Sequence, residues 1–376
     1  MSGKWKVHEI HVGKTMSTTF FVNPVDSSKY RYRATHLDGK RAPKVVLSDD
    51  PRIRPGMRTE VRIVEVHKPE RSDRGWIEVE FVRAHALQID GIYLDPVVSR
   101  KLQVLLESGL NILLDGPQGS GKTVLARAIS ETLGMRFVFF NCSSVIEATD
   151  FMATIQVRAG EGGVPITDFV STDLRAALFE AREDDGRYLV FLDELNRCPE
   201  AARNTLMPAL DSTRKLFDPV TNAFLDIPDN VQFVAAVNRG SAFTGTFSID
   251  AAQLDRFAPL QVTYLPAEEE VKLLHRRHPE VSKARLKTIV KLANEVRDAK
   301  ELVAGLSVRA TDEVCIYLKH PLMEKADDAL LAEILKSSFC GRFSGRWDDP
   351  GSDAGYVWHR IRKSLLPEPE EESGED

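Results

Sequence analysis

NILLDGPQGSGKTVLARAISETL, residues 111–133, is the stretch on which the reading of this chain turns. Its first part, NILLDG (111–116), is nearly all apolar, as a strand covered on both faces is. The part after the glycines, TVLARAISETL, has helical texture. Between them Gly116-Pro117-Gln118-Gly119-Ser120-Gly121-Lys122-Thr123 fits GxxxxGK[ST]. Glycines let backbone N–H groups converge on phosphate oxygens, and the helix that follows directs its positive end to the same place. Lys122 is placed to neutralise β- and γ-phosphate charge, and Thr123 to offer a hydroxyl to magnesium. A ligand-free tight turn would also join a strand to a helix, but it does not require the whole motif. Residues 116–123 are therefore the candidate nucleotide site.

Working outward, FVFFNC (137–142), YLVFLDEL (188–195) and VQFVAAVN (231–238) are further apolar runs, and APLQVTYL (258–265) closes the series before Pro266. Strands alternating with helical patterns predict a parallel sheet wound with helices over residues 88–265, an α/β core. Residues 266–345 read as a small helical lid, with apolar residues at i, i+3 and i+4 in VKLLHRRH, LKTIVKLANEV and ALLAEILKSSF. A C-terminal extension (346–366) ends in a short helix within YVWHRIRKSLL, and PEPEEESGED (367–376) is expected to be a disordered acidic tail. Residues 1–87 differ in texture. TTFFV (18–22), KYRYRA (29–34), RTEVRIVEV (58–66) and GWIEVEFV (75–82), separated by turn signals such as Asp38-Gly39 and Pro55-Gly56, predict a small all-β, barrel-like domain.

The 376 residues are 43% hydrophobic and 28% charged, an ordinary globular composition that excludes a fibrous repeat or a largely disordered chain. The net charge of −6 is unevenly spread: residues 1–88 hold 17 Lys and Arg against 11 Asp and Glu, while the last ten hold six acids and no base. No run approaches the roughly 18–20 apolar residues of a membrane span, and MSGKWKVHEI has no apolar secretion region, so the reading is cytoplasmic with no membrane partner. Cys142, Cys198, Cys315 and Cys340 form no CxxC pair and read as reduced thiols. His275 and His278, three apart on a predicted helix, lack a third ligand and read as solvated. No GxSxG elbow supports a serine hydrolase.

The acidic pair Asp193-Glu194 ends its apolar strand. Asp193 there can hold magnesium through water, and Glu194 can orient or deprotonate an attacking water. Capping of the helix that starts near Pro199 is the alternative.

GPQGSGKT, FLDELNRCPE, AVNRG, DAAQLDRFA and LSVRA, in that order, resemble the P-loop, acidic strand, first sensor, arginine finger and second sensor of AAA+ ATPases. LDELNR and AAQLDRF resemble the MoxR-type branch, including its NorQ/CbbQ-like activators of metalloenzymes. The likeness covers roughly residues 88–340. It implies ATP and Mg2+ as cofactors, an AAA+ core with a helical lid, and a homo-oligomeric ring, a hexamer. It also assigns Asn238 to the γ-phosphate or attacking water, Arg256 to a neighbouring subunit's site, and Arg309 to coupling between nucleotide and lid. A finger of that kind contributes about 10³–10⁵ in rate. Arg197 is a further candidate for acting across an interface. The hairpin patterns at 152–172, around Gly160-Glu161-Gly162-Gly163, and at 214–228, turning at Pro219–Asn222, look like inserts that line the ring channel and contact a client.

The resemblance thus points to a remodelling chaperone acting on a protein client, in the family often through a partner with a von Willebrand factor A domain. A second class stays open: a nucleic-acid motor or DNA-targeting regulator using residues 1–87. Their basic charge is interleaved with Trp5, Phe20, Phe21, Tyr30, Tyr32 and Trp76, the ingredients of a stacking and phosphate-tracking surface. Those aromatics could equally be the small domain's core. A nucleotide-gated scaffold is a third possibility.

Overall fold

The structure is a computed structural model, and it describes residues 10–22, 30–38, 40–50, 53, 58–67, 76–84, 89, 91–159, 165–184, 186–238, 247–302, 305–323 and 326–366. The expected features at Gly160–Gly163 and in the tail, 367–376, lie outside them, as does Trp5. The chain divides into two compact units. The first comprises Met1–Leu114, Thr123–Ala236 and Phe247–Leu260, and the second Asp115–Lys122, Val237–Thr246 and Gln261–Asp376.

The first unit begins with β1 (Thr15–Thr19), β2 (Phe21–Val22), β3 (Tyr32–Leu37), β4 (Lys40–Ser48), β5 (Arg58–Val66) and β6 (Trp76–Ala84). Only Phe20 separates β1 from β2, yet β1 pairs with β5 and β2 pairs with β3, at opposite ends of a six-membered strand order. One continuous segment therefore closes the sheet into a barrel. The closure is reinforced where the Asp38 N–H donates to the Ser17 carbonyl at 2.7 Å and the Ser17 N–H to Asp38 Oδ1 at 2.6 Å. All pairings are antiparallel except β4 with β6, so the barrel has the connectivity of an OB-type fold. KRAPKVVLS opens with charges and a proline and carries no strand pattern, yet it forms β4. Met16, Phe20, Tyr32, Leu37, Val46, Val61, Ile63, Ile77 and Val79 form the barrel core.

Next come α1 (Pro96–Glu107), β7 (Ile112–Asp115), α2 (Lys122–Leu133), β8 (Arg136–Asn141), β9 (Ala153–Ala159), β10 (Pro165–Ser171), α3 (Asp173–Glu183) and β11 (Tyr188–Asp193). They are followed by α4 (Glu200–Leu210), β12 (Lys215–Asp218), β13 (Ala223–Asp226), β14 (Val231–Val237), α5 (Ala251–Leu254) and β15 (Ala258–Gln261). The sheet order is β15-β7-β14-β11-β8, with β11 parallel to both β8 and β14. The three central strands are buried almost throughout, which is why their sequences lack alternation. FVFFNC was expected to be covered on both faces, but β8 is an edge strand in which Phe139 is exposed. The acidic strand also stops sooner than expected, at Asp193, and the final strand ends at Gln261 rather than Leu265.

The second unit carries α6 (Ala267–Arg277), α7 (Lys283–Arg297), α8 (Val308–Leu318), α9 (Asp328–Leu335) and α10 (Asp353–Leu365). Their starts are chemically marked: the Ser282, Asp327 and Ser352 side chains accept backbone N–H bonds at the first turns of α7, α9 and α10. Leu274, Leu286, Ile289, Val314, Leu331, Phe339, Val357 and Ile361 share one core, so α10 packs with the lid helices. Inside that unit sits an ion pair. The Arg297 guanidinium donates to Glu270 through Nη1 at 2.5 Å and Nη2 at 3.1 Å, and both side chains are almost wholly buried. Arg297 Nε also donates to the Leu306 carbonyl at 2.6 Å, and the Thr311 hydroxyl to Glu270 Oε1 at 2.7 Å. Removing one partner of such a pair leaves an uncompensated buried charge. Arg297→Ala is expected to cost about 3–5 kcal/mol, read as a fall in the urea midpoint for the C-terminal helices; an unchanged midpoint would show that the pair is not their anchor.

Candidate nucleotide site

In the second unit, the loop between β7 and α2 is held by very close backbone packing. A Cβ on Gly116 would lie 2.0 Å from the Val262 carbonyl oxygen, and one on Gly119 would lie 2.1 Å from Ser307 Cβ. Gly119 also has φ +72°, in the left-handed region that only glycine enters without strain. Around these glycines the Val262 N–H donates to the Asp115 carbonyl at 2.8 Å, Gln261 Nε2 to Asp115 Oδ2 at 2.9 Å, and the Tyr264 hydroxyl to the Gln118 carbonyl at 3.1 Å. The Tyr264 ring lies under Arg297, 4.8 Å from its guanidinium carbon. Burial raises the Tyr264 phenol above its ordinary range, so it remains a neutral hydroxyl donor.

Lys122 is buried, and its ammonium donates to the Gly116 and Pro117 carbonyls at 2.8 Å each. The positive end of this side chain therefore stays within the loop that would surround a phosphate. Asn238 is buried directly after β14. Arg309, on the first turn of α8 just beyond Ser307, is exposed.

In the first unit, Thr123 continues the same loop into α2, and its hydroxyl lies 3.3 Å from Asp193 Oδ2. The other Asp193 oxygen accepts the Glu194 N–H at 3.1 Å. A hydroxyl beside a carboxylate is an all-oxygen donor pair, which suits a hard dication such as magnesium. Glu194 itself adopts φ +53°, a left-handed turn immediately after the strand. For a side chain other than glycine this is a strained conformation of the kind that clusters at functional sites. Glu194 Oε2 lies 3.2 Å from Arg197 Nε, so Arg197 faces Glu194 of its own chain.

Arg256 is held on three sides. Its backbone carbonyl accepts from Asn111 Nδ2 at 3.1 Å, Nη1 donates to the Ala252 carbonyl at 2.5 Å, and Nη2 stands 3.8 Å from Asp211 Oδ2. The Asp211 carboxyl is held below its ordinary range mainly by the Thr213 hydroxyl and N–H, with a smaller contribution from Arg256.

Arg175 belongs to no sequence motif, yet it joins two inserts. Both expected hairpins are present, β9 with β10 and β12 with β13. Arg175, on α3, donates to Ser171 Oγ at the end of β10 (3.0 Å) and grips Asp218 at the end of β12 through Nε and Nη2, each at 2.9 Å. Burial pushes the Asp218 carboxyl up, but the Arg175, Thr221 and Val220 donors together hold it below the usual range. Nothing in the local sequence pairs residues 43 positions apart, so this joint was not legible.

Contrary to the solvated position expected of it, His278 is buried with Nε2 3.0 Å from Asp312 Oδ1. Phe20, Tyr30 and Tyr32 are buried, so these three aromatics cannot offer faces for base stacking. The four cysteines are free and buried, and burial pushes the thiols of Cys198 and Cys315 up to about 12.

Residues 111–257 match the family model described as the AAA domain of the dynein-related subfamily. An uncharacterized protein of Staphylococcus saprophyticus is 30% identical over 174 residues, 46% of this chain and 63% of its own length. One from Staphylococcus haemolyticus is 26% identical over 203 residues, 54% of this chain and 74% of its own. The chain thus spans less than two thirds of the first of these relatives. Among solved structures, the Thermotoga maritima RuvB Holliday junction branch migration motor aligns with TM-score 0.42 and 19% identity, covering 65% of this chain and 69% of that one. The chain has an AAA+ P-loop α/β fold with a C-terminal helical region, and AAA domains in general bind ATP with Mg2+, hydrolyse it and assemble into rings. No described helix is long and apolar enough to cross a membrane.

Gly116→Ala places a methyl against the Val262 carbonyl and should abolish binding of a fluorescent ATP analogue. Retained affinity would show that the loop tolerates displacement.

Proposed function

We propose that this chain is a magnesium-dependent, ATP-hydrolysing ring ATPase of MoxR-like type that remodels a protein client. ATP is held by residues 116–123, with Lys122 offsetting phosphate charge. Thr123 directly, and Asp193 through water, would hold magnesium, which would supply positive charge beside the phosphates. Glu194 takes the attacking water, Asn238 orients it, Arg256 serves the neighbouring subunit's site, and Arg309 reports nucleotide state to the lid.

One observation favours a protein client. Both hairpins present apolar side chains to solvent. Ile155 is directly paired with Phe169 across β9 and β10, with Val157 beside them, and Phe217 is paired with Phe224 across β12 and β13. Val157 is 70% and Phe224 64% exposed, and the two phenylalanine rings meet edge-on at 5.6 Å. The β9–β10 hairpin is exposed along almost its whole described length and gains little from its own packing, and exposed apolar clusters mark contact with another protein. Arg175 connects the ends of the two hairpins, so movement at one is transmitted to the other.

A nucleic-acid role keeps one supporting observation, the OB-type connectivity of residues 15–84, a scaffold that also carries oligonucleotide sites. A fold does not by itself assign a ligand, and the burial of Phe20, Tyr30 and Tyr32 weighs against stacking there. The protein-client reading is therefore preferred, and a von Willebrand factor A partner and a hexameric ring belong to it.

Glu194→Gln is expected to bind ATP normally and to turn over about 10²–10⁴-fold more slowly; undiminished hydrolysis would remove Glu194 as the base. Arg256→Ala and Lys122→Ala subunits should each be inactive alone and regain some turnover when mixed, and absence of recovery would exclude a finger acting between subunits. Stimulation of turnover by a denatured protein should disappear in Phe169→Asp and Phe224→Asp while basal hydrolysis persists. If single-stranded DNA stimulates turnover instead, with affinity falling steeply as salt rises, the nucleic-acid reading replaces it.

A further inference from the structure

The barrel contains a cluster that the ATPase chemistry does not use. Glu65 and Glu78 are directly opposite each other on β5 and β6, and like charges in register across antiparallel strands repel. His67, one residue past β5, stands over them, with Nε2 3.3 Å from Glu65 Oε2 and 3.5 Å from Glu78 Oε2. Ligand atoms of all three residues lie within 4.8 Å of one another.

Two features separate this cluster from an ordinary imidazolium between carboxylates. His67 Nε2 is buried without a hydrogen-bond partner among the described residues, so neither close approach has the geometry of an N–H···O bond. The two histidine-to-carboxylate separations also fit coordination. Zinc-to-ligand distances of about 2.0–2.1 Å place neighbouring tetrahedral ligands ~3.3–3.4 Å apart, close to the two separations found.

The surroundings fix these atoms in place. The His67 ring stacks on Trp76 at 4.2 Å, and its backbone N–H donates to the Trp76 carbonyl at 2.8 Å. The Tyr30 hydroxyl donates to Glu78 Oε2 at 2.5 Å, the same oxygen that faces His67, and Trp76 Nε1 lies 3.4 Å from the Tyr30 oxygen. Hydrogen bonds to a ligating carboxylate are the supporting contacts that orient metal ligands. The Lys44 ammonium is also near and is hydrogen-bonded to the His67 carbonyl.

We propose that Glu65, His67 and Glu78 bind a first-row transition-metal dication of the zinc class, with water completing a tetrahedron. One imidazole and two carboxylates suit such an ion. The cation would offset the facing glutamates and tie the end of β5 to the start of β6.

The test uses the full-length protein stripped with a chelator and titrated with Co2+ without nucleotide. One equivalent should produce the visible absorption of tetrahedral cobalt and quench tryptophan fluorescence through Trp76, and Zn2+ should displace it. His67→Ala and the nearly isosteric Glu78→Gln should each weaken binding at least about 10-fold, with circular dichroism showing the barrel intact. Asp193→Asn should leave the cobalt spectrum in place, which separates this site from the one proposed for magnesium. Absence of the cobalt band in the wild-type protein, or undiminished affinity in a folded Glu78→Gln, would overturn the proposal.

Discussion

The contact that most constrains this molecule is the absence of space around its glycine loop. Gly116 lies against the Val262 carbonyl and Gly119 against Ser307, each so close that a single methyl group could not enter. The loop backbone must follow one path, and the lid side of the contact carries the consequences. Tyr264 bonds the loop at Gln118, Arg297 lies over the Tyr264 ring, and Glu270 neutralises Arg297 inside the helical core. Ser307 opens the helix that bears Arg309. A change in the loop has a short, fully packed route to those helices, because dense interiors transmit displacement rather than absorb it.

The other functional half depends on the end of one buried strand. Strand β11 is apolar until Asp193, whose two oxygens are divided between the Thr123 hydroxyl and the Glu194 N–H. The next residue, Glu194, lies in the left-handed region with its carboxylate beside Arg197. In the same unit, the Arg175 fork joins the ends of two apolar hairpins. Its planar geometry matches a carboxylate at two points, which a lysine could not reproduce. The chain thus pairs a strained acidic turn with a rigid joint under its exposed loops.

Much of the α/β core was legible because its signals are local. A P-loop is contiguous, and buried parallel strands advertise themselves as unbroken apolar runs. The same logic failed where a residue's partner is distant in sequence. FVFFNC resembles a central strand, yet β8 lies at the sheet edge and leaves Phe139 exposed. KRAPKVVLS resembles a connection, yet it is the strand that runs parallel to β6. The aromatic residues of the barrel fit either a stacking surface or a core by composition alone, and the fold buries Phe20, Tyr30 and Tyr32.

The sequence by itself determined the phosphate loop, the acidic strand end, the two inserted hairpins and the uneven charge, because each is written in adjacent residues or in a short period. Only the tertiary structure decided that the β-rich head closes through the single segment 15–22, that Arg175 couples Ser171 to Asp218, and that His67 stands over a facing pair of glutamates. Register and closure are long-range properties. They arise from which strands meet, and side chains that meet across them carry no mark of it in the order of the chain.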